Sequence, residues 1–325
     1  MMKFFVGVVI LLCFFLPVYS QDVEDWGTRL SWSPDGQNLA IGFRSGVIEI
    51  RNGLDGSLNH TLQIPNDSFA NDVDWSPEGD LLAAVAGDNH IYIWNTTTWD
   101  IIRTINIEED GRVHTINWNS DNTRLAGLAQ QGGTLYIWNT STGENLLTRS
   151  SGGSFEVSDF DWYGENLAVG FASGMDLIDT SGNRLGRIGI ASSYIIDVAS
   201  NYNNHLIASG TQFGRVQIWD ETNGTLLSDF IAQNYSEAVF SLDWHPDGVH
   251  LATGGADGNV TIWDTQREQL ITTIEFSGQV TNVEWSPDGS QLAYTGIPRD
   301  TTTPLWEIIP TSDIGITTNA SSSEE

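Results

Sequence analysis

Three observations predict an all-β fold made of seven similar four-stranded units. One pattern recurs seven times at a spacing of about 40–45 residues, a period that marks stacked or radially arranged units. Eleven of the 13 tryptophans fall at two periodic positions within that pattern. Between them lie short turns rich in Ser, Pro, Asp and Gly.

The sixth copy shows each element in order. Residues 239–244 alternate apolar and polar, as a half-buried strand does. His245-Pro246-Asp247-Gly248 follows as a tight turn, in which Pro presets φ and Gly accepts a positive φ. Leu251-Ala252-Thr253-Gly254 reads as a second strand, and Ala256-Asp257-Gly258-Asn259 as a second turn. Val260-Thr261-Ile262-Trp263-Asp264 is the third strand, and residues 270–276 make the fourth.

The other copies align on this one. The first tryptophan is Trp32, Trp75, Trp118, Trp162, Trp244 or Trp285, with Ser200 in the fifth copy. The second is Trp94, Trp138, Trp219, Trp263 or Trp306, with Arg51 and Ile178 in copies one and four. Such regular placement argues for tryptophans that pack between neighbouring sheets rather than bind a ligand.

On these residues the chain resembles the WD-repeat β-propellers. The marks are Trp219-Asp220 and Trp263-Asp264, the near matches Trp94-Asn95 and Trp138-Asn139, and the Trp-Ser-Pro-(Asp/Glu)-Gly turns at Trp32, Trp75 and Trp285. The resemblance covers nearly all of the chain after residue 26 and implies a seven-bladed β-propeller of four-stranded antiparallel blades. The Gly-His pair that usually opens each repeat of the family is missing. The buried His-to-Asp network built on it is therefore expected to be absent, although Asp88 and Asp257 keep the turn Asp.

Residues 1–20 read as a signal peptide: Lys3, then an apolar run over residues 4–16, then small residues at Val18 and Ser20. The run is short for a transmembrane helix, and Cys13 follows a Leu too large for a lipoprotein site. Residues 21–318 form a single propeller, and the polar, acidic residues 319–325 read as a disordered tail. The expected location is secreted or extracytoplasmic. The eight Asn-x-Ser/Thr sites say nothing about the host.

The net charge of −29 excludes nucleic acid and anionic membrane surfaces as natural partners, because both would be repelled. The only Lys and the only Cys, Lys3 and Cys13, both lie in the leader. A closed domain of this length buries enough core without disulfides.

No signature of chemistry stands out. The six histidines show no metal-ligand spacing within a single strand or helix, and His245 replaces the Ser of the turn. Nucleophile-elbow and phosphate-loop motifs are missing. The expectation is a protein that is not an enzyme and has no cofactor or metal. One periodic feature is open to two readings. The residue before the first Trp is acidic in four copies, Asp74, Asp161, Asp243 and Glu284. A carboxylate ring at the axis could hold Ca²⁺; alternatively these groups are solvated or bonded to a neighbouring turn.

In a propeller the turns between the second and third strands, and the crossings between blades, emerge on one face. Arg44, Asp88, Gln131, Phe171, Phe213 and Asp257 stand at the turns and Tyr235 at a crossing. Aromatics and Arg on a loop face are what binding hot spots are made of. These seven are the candidate contacts of a monomeric scaffold that binds a protein partner. A glycan- or cell-wall-binding module and a propeller enzyme with an axial metal are the alternatives. The last blade's fourth strand is expected from residues 313–318, because residues 21–26 are too few to cross and pair; the alternative is a last blade left with three strands.

Overall fold

The computed structural model describes residues 25–107, 112–129, 133–150, 157–171, 174–189, 194–233, 237–299 and 305–316. The leader, the acidic tail, Gln131 and Tyr235 lie outside the described residues.

Seven antiparallel sheets follow one another along the chain, and each is a simple meander. The inner strands are Gly27–Trp32, Ala70–Trp75, Val113–Trp118, Val157–Tyr163, Ile195–Asn201, Val239–Trp244 and Gly278–Trp285. Each inner strand packs beside the inner strand of the next sheet, and the first packs beside the last. The result is the expected ring of seven blades. Blades one to six have four strands, whereas the seventh has three among the described residues.

The core is a series of inter-blade layers rather than one central cluster. In one layer Ile48, Ile50 and Leu62 of blade one meet Val73, Trp75, Leu82 and Trp94 of blade two. The same arrangement repeats between blades two and three around Trp118 and Trp138. The first tryptophans are all nearly fully buried. In four blades the indole N–H reaches back to a backbone carbonyl of the preceding inner strand: Trp32 to Glu284, Trp118 to Asp74, Trp162 to Asn117 and Trp244 to Ala199. These tryptophans are therefore structural, filling the gap between wedges and satisfying their own polar atom.

One expectation needs correction. Residues 313–318 do not supply a strand among those described. Thr311–Ile314 forms a 3-10 turn, and Gly315 takes a left-handed φ of 79°. The chain there bends over the edge of blade seven and buries Ile314 and Ile316 in its apolar layer. In blade six a buried network built on Gln233, with no histidine, takes in the turn Asp. The Gln233 amide donates to the Asp257 carboxylate (2.7 Å to Oδ2), and its carbonyl accepts the Thr253 hydroxyl at 3.3 Å. Thr253 meets the Thr261 hydroxyl at 2.7 Å, and Thr261 accepts the Trp263 indole N–H at 2.8 Å. A carboxamide can donate through its nitrogen and accept through its oxygen, and a neutral imidazole likewise has both a donor and an acceptor.

Candidate interaction face and axial channel

Each inner strand runs from the face of the crossings to the face of the Ser-Pro-Asp-Gly turns. Its alternation places every second side chain on the axis. The result is two tiers of polar groups around a channel of about 170 Å³. The tier next to the first tryptophans holds Ser31, Asp74, Asn117, Asp161, Ala199, Asp243 and Glu284. The tier nearer the crossings holds Arg29, Asp72, Thr115, Asp159, Asp197, Ser241 and Asn282.

These side chains staple each blade to the next. In the first tier, Asp74 accepts the backbone N–H of Trp118 (2.8 Å), Asp161 that of Ser200 (2.7 Å) and Asp243 that of Trp285 (2.7 Å). Glu284 accepts the N–H of Trp32 at 3.2 Å and so closes the ring between blades seven and one. In the second tier Asp72 accepts from Ile116 (2.9 Å), Asp197 from Leu242 (2.6 Å) and Ser241 from Val283 (3.2 Å). Asn282 accepts from Leu30 at 3.0 Å, a second closing bond. The acidic positions thus spend oxygens on the neighbouring strand's backbone. That is the second of the two readings above, with a strand in place of a turn.

Burial raises the carboxyl pKa values despite these hydrogen bonds. Desolvation pushes Asp72 up to about 6, although Arg29 nearby works against it. It also pushes Asp161 to about 6 and Asp243 to about 7. Asp159 stands well above the usual carboxylate range, through burial and then the charge of Asp197, with which it shares a hydrogen bond. Arg29 is the channel's cation. Burial disfavours its charge, but Asp159, Asp72, Asp197 and Glu284 outweigh that and raise its pKa. Arg29 escaped the sequence reading, and stepping back three residues from each first tryptophan would have found it.

The candidate contacts fare differently on the crossing face. Arg44 is exposed, and its guanidinium lies over the Trp26 ring at 4.6 Å and the Phe69 ring at 5.8 Å. Phe69 in turn lies flat on Gly87, where a Cβ would come within 2.4 Å of the ring. Phe213 projects from the turn of blade five with 47% of its surface exposed. Phe171 instead folds back, half-buried, against the layer of Phe160, Leu167 and Val169. Asp88 is held inside its own loop, accepting Tyr92 Oη at 2.8 Å and Asn66 Nδ2 at 3.2 Å. Asp257 belongs to the Gln233 network. The face therefore brings Arg44 together with Trp26, which lies outside the repeat pattern and gave no periodic signal.

Comparison with known proteins agrees with this architecture. The family model described as WD domain, G-beta repeat matches residues 224–264. The model of the anaphase-promoting complex subunit 4 WD40 domain matches residues 73–165. The periodic tryptophan protein 2 homolog of Dictyostelium discoideum is 33% identical over 119 residues, covering 35% of this chain and 13% of that protein. The pre-rRNA-processing protein IPI3 of Mycosarcoma maydis is 35% identical over 74 residues, covering 23% of this chain and 12% of its own. The U3 small nucleolar RNA-associated protein 12 of Saccharomyces cerevisiae is 40% identical over 63 residues, covering 19% and 7%. The match thus spans only a small part of each relative's length. Two of these relatives correct the expected location: their names place them in pre-rRNA processing and with a small nucleolar RNA, which points to an intracellular rather than a secreted setting. Seven repeats in register, a ring of seven blades and two matching family models lead to one conclusion: the chain is a seven-bladed β-propeller built from repeats of the WD type.

Proposed function

We propose that the chain is a non-catalytic scaffold that binds a protein partner through the face of the crossings and the second-to-third-strand turns. One observation carries this reading: an exposed Arg44 held between Trp26 and Phe69 on that face. The rings hold the guanidinium in place by cation–π attraction, so its outward N–H groups meet a carboxylate or carbonyl at little further entropic cost. Phe213 adds exposed aromatic area on the same face. The role fits a family whose propellers serve protein interaction. The axial carboxylates fit the role of inter-blade staples better than that of an active site.

The test is affinity capture with the full chain as bait, comparing Arg44→Ala/Phe213→Ser with Leu54→Ser. Leu54 stands 85% exposed in a turn of the opposite face. The double variant is expected to weaken capture by about 2 kcal/mol or more, roughly thirtyfold. Capture lost in Leu54→Ser and intact in the double variant would move the binding surface to the other face.

A further inference from the structure

The turn between the first and second strands is built alike in five blades, and one of them departs in its chemistry. In blades one, two and seven its first residue is Ser33, Ser76 or Ser286, and in blade three it is Asn119. That side chain donates to an Asp within the turn and accepts the N–H five residues on. Ser286 donates to Asp288 at 2.7 Å and accepts from Gln291 at 3.0 Å; Asn119 donates to Asp121 at 2.6 Å and accepts from Arg124 at 2.7 Å. In blade six the first residue is His245, the Asp is Asp247, and the residue five on is His250. Two of the chain's six histidines therefore flank one carboxylate.

The arrangement leaves donor atoms converging. One ring nitrogen of His245, one of His250 and an Asp247 carboxylate oxygen all lie within 4.8 Å of one another. His245 Nε2 lies 3.0 Å from the Gly289 carbonyl of blade seven, which can only accept, so Nε2 carries a proton. The neutral ring then has its lone pair on Nδ1, which accepts the Asp247 N–H at 3.1 Å. That same Nδ1 stands 3.1 Å from Asp247 Oδ1. Two acceptor atoms thus stand side by side, and a cation that displaced the Asp247 N–H from Nδ1 would find both. Asp247 Oδ2 lies 2.6 Å from His250 Nδ1.

The surroundings are those of a built site. His245 is buried, edge-on to Trp285 at 4.8 Å between ring centroids. It sits flat over Gly289, where a Cβ would come within 2.4 Å of Nε2. Asp247 and His250 are partly open to solvent, which gives entry and room for water. The Gly289 carbonyl supplies the outer hydrogen bond that fixes a ligating imidazole's tautomer.

We propose that His245, Asp247 and His250 form a site for a divalent transition metal, Zn²⁺ foremost. Two imidazole nitrogens and a carboxylate suit Zn²⁺ with water as the fourth ligand, and the nitrogen donors disfavour Ca²⁺. Binding breaks two hydrogen bonds, His250 to Asp247 and Asp247 N–H to His245 Nδ1, and the neutral His250 ring carries its proton on Nε2 instead of Nδ1 so that the Nδ1 lone pair is free to ligate. Reading histidine spacing along single strands overlooked the triad, because it spans a turn and the strand that follows.

The experiment uses the full chain freed of metal by chelation. Zn²⁺ is titrated by calorimetry and Co²⁺ by its visible d–d absorption, in wild type, His245→Ser and His250→Gln. Each variant installs the residue that a sister turn already holds, Ser286 or Gln291. Wild type is expected to bind one equivalent with tetrahedral Co²⁺ bands and a raised Tm, and each variant to lose affinity by about tenfold or more. His250 is the more exposed of the two, so His250→Gln tests the site even if His245→Ser misfolds. Absence of Co²⁺ bands, or binding undiminished in His250→Gln, overturns the proposal.

Discussion

The side chains on the axis serve as acceptors for the backbone of the next blade. Asp243 holds the Trp285 N–H and Glu284 holds the Trp32 N–H. Removing the acceptor leaves a buried N–H unpaired, which costs about 1–3 kcal/mol. Asp243→Ala should therefore destabilise the fold by that amount in urea unfolding. Asp243→Asn keeps an acceptor oxygen and drops the charge. The sign of its pH effect follows from the raised values. Asp72 and Asp161 at about 6 and Asp243 at about 7 hold their protons more tightly when folded than at the ordinary value of 3.8. Their contribution to stability is full below about pH 4 and is lost as pH rises towards 7. The urea midpoint should be higher at pH 5 than at pH 8. In Asp243→Asn about 2–3 kcal/mol of that difference should disappear. A wild-type midpoint that rises from pH 5 to pH 8 would show that the axial carboxyls are not desolvated. The acids of the first tier were legible in the sequence, one step before the first tryptophan in four copies. Their partners were not, because a backbone N–H carries no signature and the neighbour is set by the ring.

At the scale of the element, the repeat made six four-stranded blades legible, since the tryptophans and turns fix the strand ends. The seventh blade was misread at its last strand. Asp313-Ile314-Gly315-Ile316 alternates apolar residues with period two, as a strand does. Gly315 instead takes φ 79°, so the chain turns and both isoleucines point into the blade. The segment closes the apolar layer by burial rather than by a ladder of hydrogen bonds. Deleting residues 311–325 should lower Tm well below that of a chain lacking residues 320–325. Ile314→Ala with Ile316→Ala should reproduce most of the loss, about 2–4 kcal/mol. Equal melting of the two deletions would show that the segment does not close the blade. Period also failed to find the candidate face's main feature. Trp26 precedes the first repeat, and only the structure brings it onto Arg44. Phe171 and Phe213 hold equivalent turns in sequence, yet one packs inward and the other stays exposed.

At the scale of the whole molecule, a net charge of −29 sits on one closed ring. Like charges repel across the surface, and salt screens them over about 10 Å at 0.1 M. Tm should rise between low and molar NaCl; a flat response would mean the charges are too dispersed to matter. The same field disfavours anionic partners and favours a partner that brings positive charge to the rim. The central claim is that the crossing face is the working surface, and hydrogen exchange on the captured complex tests it most directly. Exchange should slow on binding at residues 43–46, 68–71 and 212–214, with residues 33–37, 52–57 and 285–291 unchanged. Protection confined to the second group would contradict it.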